Sequence, residues 1–365
     1  MDALDCCKER TTVKETIKET IGCDLGDLQS ELCILSEAGE IRERAKVKTT
    51  LGGFRAFFAN RPQAHVVIEV GAHSRWVQEL LSELGQKVTV ANPRKLKLIT
   101  GSVTKTDRND AELLARLGRA DVKLLSPVKH RSAQAQADLA VAKARDLLVT
   151  SRTSLVNSIR GTVKSTGATL PKCEAEAFHR ISRKAVPEAL KPALEPLYVV
   201  LESIEQQIRA AEKTLEQVAE RYPDVERISQ PKGVGLLTAV VFMLTVDDKE
   251  RFETSRQAGA FLGMVPRKDQ SGMSDKQLSI TKSGDPFVRK LLVNSANYIL
   301  GPFGEDSDLR RWGLKLAERG GNNAKKRAKV AVARKLAVLM HRLWVTGEDY
   351  VPLQNAMRQE QRKTA

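Results

Sequence analysis

Ala64-His65-Val66-Val67-Ile68-Glu69-Val70 is a near-continuous run of β-branched residues with an acid next to its end. Such a run predicts a strand buried on both faces of a sheet, because a half-solvated strand would alternate apolar and polar residues. The pattern upstream supports this. Ile21 to Leu25 and Glu31 to Leu35 read as short strands around a Gly26-Asp27 turn, and Ile41 to Lys48 as a third. Leu51 to Ala59 has helical spacing. Downstream, Trp76, Leu80, Leu81 and Leu84 mark a helix stopped by Gly85. Lys87 to Val90 is a further strand, and Asn109 to Leu117 a helix stopped by Gly118. Strands followed by alternating helix and strand predict an α/β domain over 21–125, after a polar extension at 1–20.

The middle of the chain changes character. Ser132 to Lys164 reads as one long helix and Pro187 to Glu220 as another. In the second, Leu190, Leu194, Leu197, Leu201, Ile204, Ile208, Ala211, Leu215 and Val218 recur at spacings of three and four. That stripe is either a coiled-coil seam or the face of a helix packed on its neighbour. Residues 126–222 therefore form a helical, coiled-coil-like linker. A mainly α-helical region follows over 223–350, before a polar tail at 351–365. In it Pro231-Lys232-Gly233-Val234-Gly235 opens an apolar helix to Val246. Asp285-Pro286 is a helix start with Asp as N-cap and Pro in the first turn, and Asn322 to Trp344 is a long basic helix.

Composition narrows the function. Hydrophobic residues make up 41% and charged residues 29% of the 365, which excludes a disordered chain. The formal net charge is +15, and residues 251–345 hold 19 Lys and Arg against 8 Asp and Glu. An excess of that size implies a polyanionic partner, with nucleic acid the commonest. Aromatics at 4% are too few for a base-stacking platform, so phosphate contact is the expectation. The run Lys325-Lys326-Arg327-Ala328-Lys329 is either such a contact or a solvated face. The five cysteines show no paired spacing, which argues against a zinc site or a disulfide framework and for a reducing cytoplasm. The N-terminus has no apolar core of a secretory signal, and no apolar run is long enough to span a membrane. The histidines His65, His73, His130, His179 and His341 are scattered and read as structural.

Four acids stand out by their settings. Asp24 follows Gly22-Cys23 in an apolar strand and Glu69 ends the most apolar one. Burying a carboxylate there is costly unless something compensates it, and a bound cation does so when several acids converge. Asp107 and Asp110 are three apart at a helix start, on one helix face, where plain N-terminal capping is the competing explanation. Ser271, in Asp269-Gln270-Ser271-Gly272-Met273, reads on its own as a turn serine in a polar loop.

The order strand Asp, strand Glu, helix Asp-x-x-Asp resembles the RuvC-like variant of the ribonuclease H fold. More specifically, the chain resembles the DEDD transposases of insertion sequences, the bridge recombinases. Gly22-Cys23-Asp24, Val67-Ile68-Glu69 and Lys105-x-Asp107-x-x-Asp110-Ala111 match, as do Phe261 to Pro266, Ser271-Gly272, Ile280 to Asp285 and Val332 to Leu336. The residues after Asp24 and after Glu69 depart from the commoner family pattern, and the 231–235 turn carries one extra residue. The resemblance implies a transposase or recombinase that cuts and rejoins donor and target DNA. Asp24, Glu69, Asp107 and Asp110 would be ligands for Mg²⁺ or Mn²⁺, with Ser271 as nucleophile. It also implies an element-encoded guide RNA, a homodimer or homotetramer with the 187–220 helix as a candidate interface, and a bacterial or archaeal, nucleoid-associated protein. Arg267, Lys268, Lys282, Lys325, Lys326, Arg327, Lys329, Arg334 and Lys335 are the expected nucleic-acid contacts. Divalent-ion chemistry fits this donor set independently, since hard cations take carboxylates. A hydrolytic RuvC-like junction nuclease and a non-catalytic DNA-binding assembly protein are the competing readings.

Overall fold

A computed structural model describes residues 18–95, 106–272, 274–321 and 323–355. Most of the 1–20 extension, Lys105 and the end of the 351–365 tail lie outside the described residues. The chain divides into two compact units, with the division after His130.

The first unit is built on a five-stranded sheet in the order β3-β2-β1-β4-β5. Its strands are β1 (Thr20–Asp24), β2 (Gln29–Leu35), β3 (Ile41–Lys48), β4 (His65–Glu69) and β5 (Lys87–Ala91). The first three form an antiparallel meander, while β1-β4 and β4-β5 pair parallel. Val66, Val67 and Ile68 are all 0% exposed, as the 64–70 run predicts for a strand with helices on both sides. Alternation sorts its residues by face. Ile21, Cys23, Val66 and Ile68 join the cluster made with α1 (Leu51–Phe58) and α2 (Ser74–Glu83). Val67, Cys33 and Leu35 instead pack on α3 (Asp107–Ala120).

Helix α3 approaches the sheet more closely than side chains permit. A Cβ on Gly22 would lie 2.0 Å from the Ala111 carbonyl oxygen, and one on Gly118 2.4 Å from a Val67 methyl. Gly118 therefore does not stop this helix, contrary to the sequence expectation. It stays helical to Ala120 because a bare Cα there lets α3 cross β4 in contact.

The second unit begins with an antiparallel pair, α4 (Ala133–Ser165) and α6 (Lys191–Glu220), joined at the far end through α5 (Phe178–Arg183). The direction follows from the cross-links. Asp138 meets Arg221, Arg145 meets Glu212, and Arg152 meets Glu205 at 2.9 Å, so one sequence rises as the other falls. The apolar stripe of α6 is largely buried within this unit. Leu194, Leu201, Ile208, Leu215 and Val218 are inside, so the stripe is not a bare surface for a second subunit.

Around the root of this pair sits a helical core. Helix α8 (Leu236–Val246) is buried from Thr238 to Val246. It shares one hydrophobic cluster with residues of α7 (Asp224–Ser229), α10 (Pro286–Leu300) and α12 (Ala324–Thr346). Two shorter helices, α9 (Arg256–Phe261) and α11 (Asp308–Ala317), flank it. Among the described residues of this region, the strands are a two-stranded hairpin of β6 (Pro266–Ser271) and β7 (Ser274–Ile280). Sequence reading placed Ser271 in a loop. It lies at the end of β6, paired in register with Ser274 across the tip.

Candidate functional site

The first unit brings the predicted acids to one edge. Cys23 of β1 is in register with Ile68 of β4, so Asp24 and Glu69 are the next residues at the C-terminal ends of adjacent parallel strands. Asp24 is two residues past Gly22 and Glu69 two past Val67, which puts both on the face covered by α3. The helix runs against the strands, with Ala111 and Ala115 over Gly22 and Gly118 over Val67 and His65. Its N-terminus, with Asp107 and Asp110, therefore lies toward the same edge. Thr106 caps that end by accepting from the Asn109 amide. Asp110 is 6% exposed and Asp107 is exposed.

The donor set is all hard oxygen, gathered at one sheet edge beside a helix N-terminus, and in chemistry it suits a divalent cation. Among the described residues, no three His, Cys, Asp or Glu side chains stand close enough to hold an ion as they are. Holding one would draw the carboxylates inward. Burial, followed by the charge of Asp24, pushes the Cys23 thiol far up from its ordinary value.

Two neighbours escaped sequence reading. Glu31 stands directly opposite Asp24 on β2, and Lys46 of β3 stands opposite Glu31, with Nζ 2.6 Å from its carboxylate. On α3, Glu112 accepts from Arg44 and from Arg116, and these bonds hold its carboxyl below the ordinary range. Both pairs stand on the α3 side of the sheet that Asp24 and Glu69 also face. The signal available was the alternation of Arg42, Arg44, Lys46 and Lys48 along β3, which places one charge type on one face.

Ser271 belongs to the second unit and is exposed at the tip of the hairpin, before Gly272 at φ +54°. The cations expected beside it are spread along the arm. Arg267 lies near the root, donating to the Ser279 hydroxyl at 3.2 Å, and Lys268 pairs with Gln277 partway up. Lys282 lies beyond the root, and its amide donates to the Gly263 carbonyl at 3.0 Å. At about 3.4 Å per residue, root and tip are about 17 Å apart, so the hairpin does not bring Lys282 to Ser271.

The basic helix α12 divides in two. Lys325, Lys326 and Arg327 are exposed in its first turns and Lys329 is half-buried, and among the described residues none of the four is ion-paired. Lys335 instead lies over the Trp312 ring, 3.8 Å from its centroid, and burial lowers its ammonium pKa. Arg334 packs its chain against Gly259, where a Cβ would meet Arg334 Cγ at 2.9 Å. Both side chains remain exposed but are engaged by these neighbours. Among the described residues no helix is long and apolar enough to cross a membrane.

With this geometry in hand, comparison with known proteins gives a consistent result. A family model for DEDD transposases of the IS110 type matches residues 21–167. A second, for transposases of the IS116/IS110/IS902 family, matches 225–303. The transposase for insertion sequence element IS1111A of Coxiella burnetii is 31% identical over 352 residues, covering 94% of this chain and 93% of that protein. A probable family 20 transposase of Pseudomonas aeruginosa is 28% identical over 308 residues, covering 82% and 89%. A putative transposase of Sinorhizobium fredii is 28% identical over 303 residues, covering 80% and 76%.

Proposed function

Because this chain belongs to the IS110 family of DEDD insertion-sequence transposases, we propose that Asp24, Glu69, Asp107 and Asp110 form its metal-dependent cleavage centre and Ser271 its nucleophile. The observation that carries the reading is the convergence of two strand ends and one helix start on a single sheet edge. On this reading residues 21–125 are a RuvC-like catalytic domain, 126–222 a helical linker of coiled-coil type, and 223–350 the domain that carries the serine.

Each group has a separable role. The carboxylates would hold Mg²⁺ or Mn²⁺, which when bound neutralises charge on the scissile phosphate and lowers the pKa of an attacking hydroxyl. The Ser271 hydroxyl loses its proton as its Oγ–phosphorus bond forms and the DNA strand leaves with the electron pair of the broken P–O bond, taking up a proton. The strand end is then held as a serine ester. Attack by a hydroxyl of the strand to be joined reverses the sequence and restores the serine. Lys325, Lys326, Arg327 and Lys329 would bind phosphates of DNA or of an element-encoded guide RNA. A homodimer or homotetramer would hold donor and target together.

The test is to trap a covalent protein–DNA adduct with labelled substrate in Mg²⁺, resolve it by denaturing electrophoresis, and map the labelled peptide. An adduct at Ser271, absent in Ser271→Ala while DNA binding persists, is the expected result. Full strand exchange by Ser271→Ala would remove the serine from the mechanism and leave hydrolytic cutting at the carboxylate edge.

A further inference from the structure

Among the described residues the hairpin β6-β7 buries no core of its own. Residues 267–272 are all exposed, and a lone two-stranded hairpin is marginal in water. Its direction must be fixed where it leaves the helical core. The two segments at that root, 261–265 leading in and 281–284 leading out, are fused backbone to backbone. Thr281 donates to the Val265 carbonyl at 2.9 Å and Lys282 to that of Gly263 at 3.0 Å. A Cβ on Gly263 would lie 2.0 Å from the Ser283 carbonyl oxygen, and one on Gly284 2.3 Å from that of Phe261. Both glycines have positive φ, so only glycine fits at either place.

This fusion turns three carbonyls toward one side chain. Arg289 on α10 places Nη1 3.2 Å from the Leu262 oxygen, 2.8 Å from that of Ser283 and 3.0 Å from that of Gly284. One guanidinium thus grips the incoming and outgoing legs together, with charge-assisted bonds stronger than neutral ones. Its helix is anchored in turn. Asp285 caps α10 by accepting from the Phe287 amide and pairs with Lys143 of α4 at 3.3 Å, and Lys290 reaches Asp146 of α4 at 2.5 Å. The grip therefore continues into the helical pair.

We infer that Arg289 is the positioning residue of the β6-β7 arm: by clamping both legs it sets the direction in which the tip is presented to DNA. The lever is long. A tilt of about 10° at the root moves a tip about 17 Å away by about 3 Å, and misplacement of about 1 Å costs about a hundredfold in a reaction that depends on alignment. A lysine cannot replace the arginine: all three bonds come from Nη1, and a lysine Nζ sits one bond closer to the backbone on a flexible stem, so it does not reach that point. The functional part of this inference rests on the reading of Ser271 as nucleophile; the mechanical part does not.

Hydrogen exchange and strand transfer on the full chain, as wild type, Arg289→Lys and Arg289→Met, test it. Expected is at least tenfold faster exchange at the root amides of Met264, Thr281 and Lys282, with the amides of α8 and α12 unchanged. DNA Kd should stay within about twofold and strand transfer should fall at least tenfold in both variants. If the root amides keep wild-type protection in both variants, or if α8 and α12 lose protection equally, the clamp is not what fixes the arm. Where Arg289→Met does not fold, Arg289→Lys decides alone. Strand transfer by Ser271→Ala separates the two ideas: full activity there overturns the nucleophile, while root protection in the Arg289 variants still reports on the clamp.

Discussion

The carboxylate edge and the serine arm place their proposed reactive groups by opposite means. At the edge, register does the work. Asp24 and Glu69 are fixed by strands whose neighbours are fully buried, and α3 lies on them with no Cβ between it and Gly22. On the arm residues 267–272 are exposed, and Ser271 is located by a clamp about 17 Å away. The first arrangement tolerates almost no change in shape and resists displacement. The second can swing as a body when its root yields. On the proposed reading a strand-cutting centre that must hold charge gains from rigidity along its whole edge, and a nucleophile on an exposed arm gains from one root that sets its direction.

The largest expected effect strikes the edge. Asp24→Asn, Glu69→Gln, Asp107→Asn and Asp110→Asn should each lower Mg²⁺-dependent cleavage by about a thousandfold or more, a loss of several kcal/mol in the barrier, with circular dichroism unchanged. Normal cutting by two or more of them would sink the assignment. Next comes rigidity itself. Gly22→Ala forces a methyl into the α3 backbone and should destabilise the first unit by about 3 kcal/mol. Gly272→Ala, at a positive φ with open space around it, should cost only about 1 kcal/mol. Thermal unfolding of both variants gives the contrast directly, and equal costs would erase the distinction between edge and arm.

A smaller effect concerns nucleic-acid affinity. With about five to eight phosphates contacted, log Kd against log salt should have a slope of magnitude about 4 to 7, and reversing Lys325, Lys326 and Arg327 to Glu should reduce it by about 2 to 3. Lys335→Met should leave it unchanged, because that ammonium is engaged with Trp312. A wild-type slope in the triple variant assigns the first turns of α12 to solvent.

The smallest effect is shared by both units. Burial lowers the pKa of His65, bonded to Thr89, and of His341, bonded to Ser255 and to the Lys249 carbonyl. The unfolded chain therefore binds more protons than the native one just below the ordinary histidine value of 6.5. Stability is fully present above that pH and is lost as pH falls toward the lowered native values, by up to about 1.4 kcal/mol per pH unit for each histidine. Unfolding at pH 7 and pH 5 in His65→Gln and His341→Gln should show a weaker pH dependence than wild type. An unchanged dependence would place the titration elsewhere.

How much of this was legible in the sequence follows from where information is stored. The 64–70 run, the meander before it and the Asp285-Pro286 start were readable because burial and capping leave local patterns. The edge was readable because its acids interrupt apolar strands. Gly118 misled, since a glycine that lets a helix touch a strand looks the same as one that ends a helix. The hairpin left no pattern, because neither face of Pro266 to Ser271 is buried and alternation has nothing to record. The stripe on α6 was visible, but its partner was not: only the cross-links to α4 show where it goes. Arg289 gave no sign, being one arginine among many until three carbonyls from distant positions meet on it.

The antiparallel pair α4 and α6 has one further consequence, a metric one. Its 33 and 30 residues make a strut of about 50 Å at about 1.5 Å per residue, the axial length of about fifteen base pairs at about 3.4 Å each. Leu194, Leu201, Ile208 and Leu215 recur every seven residues along its seam, and the buried Arg152–Glu205 pair pins the two helices against slipping. Such a strut can change length only in whole steps. Seven residues added to both helices extend it by about 10 Å and keep every face in place, whereas seven added to one leave a buried arginine without its acid. Relatives with longer or shorter struts should differ by that quantum of about 10 Å.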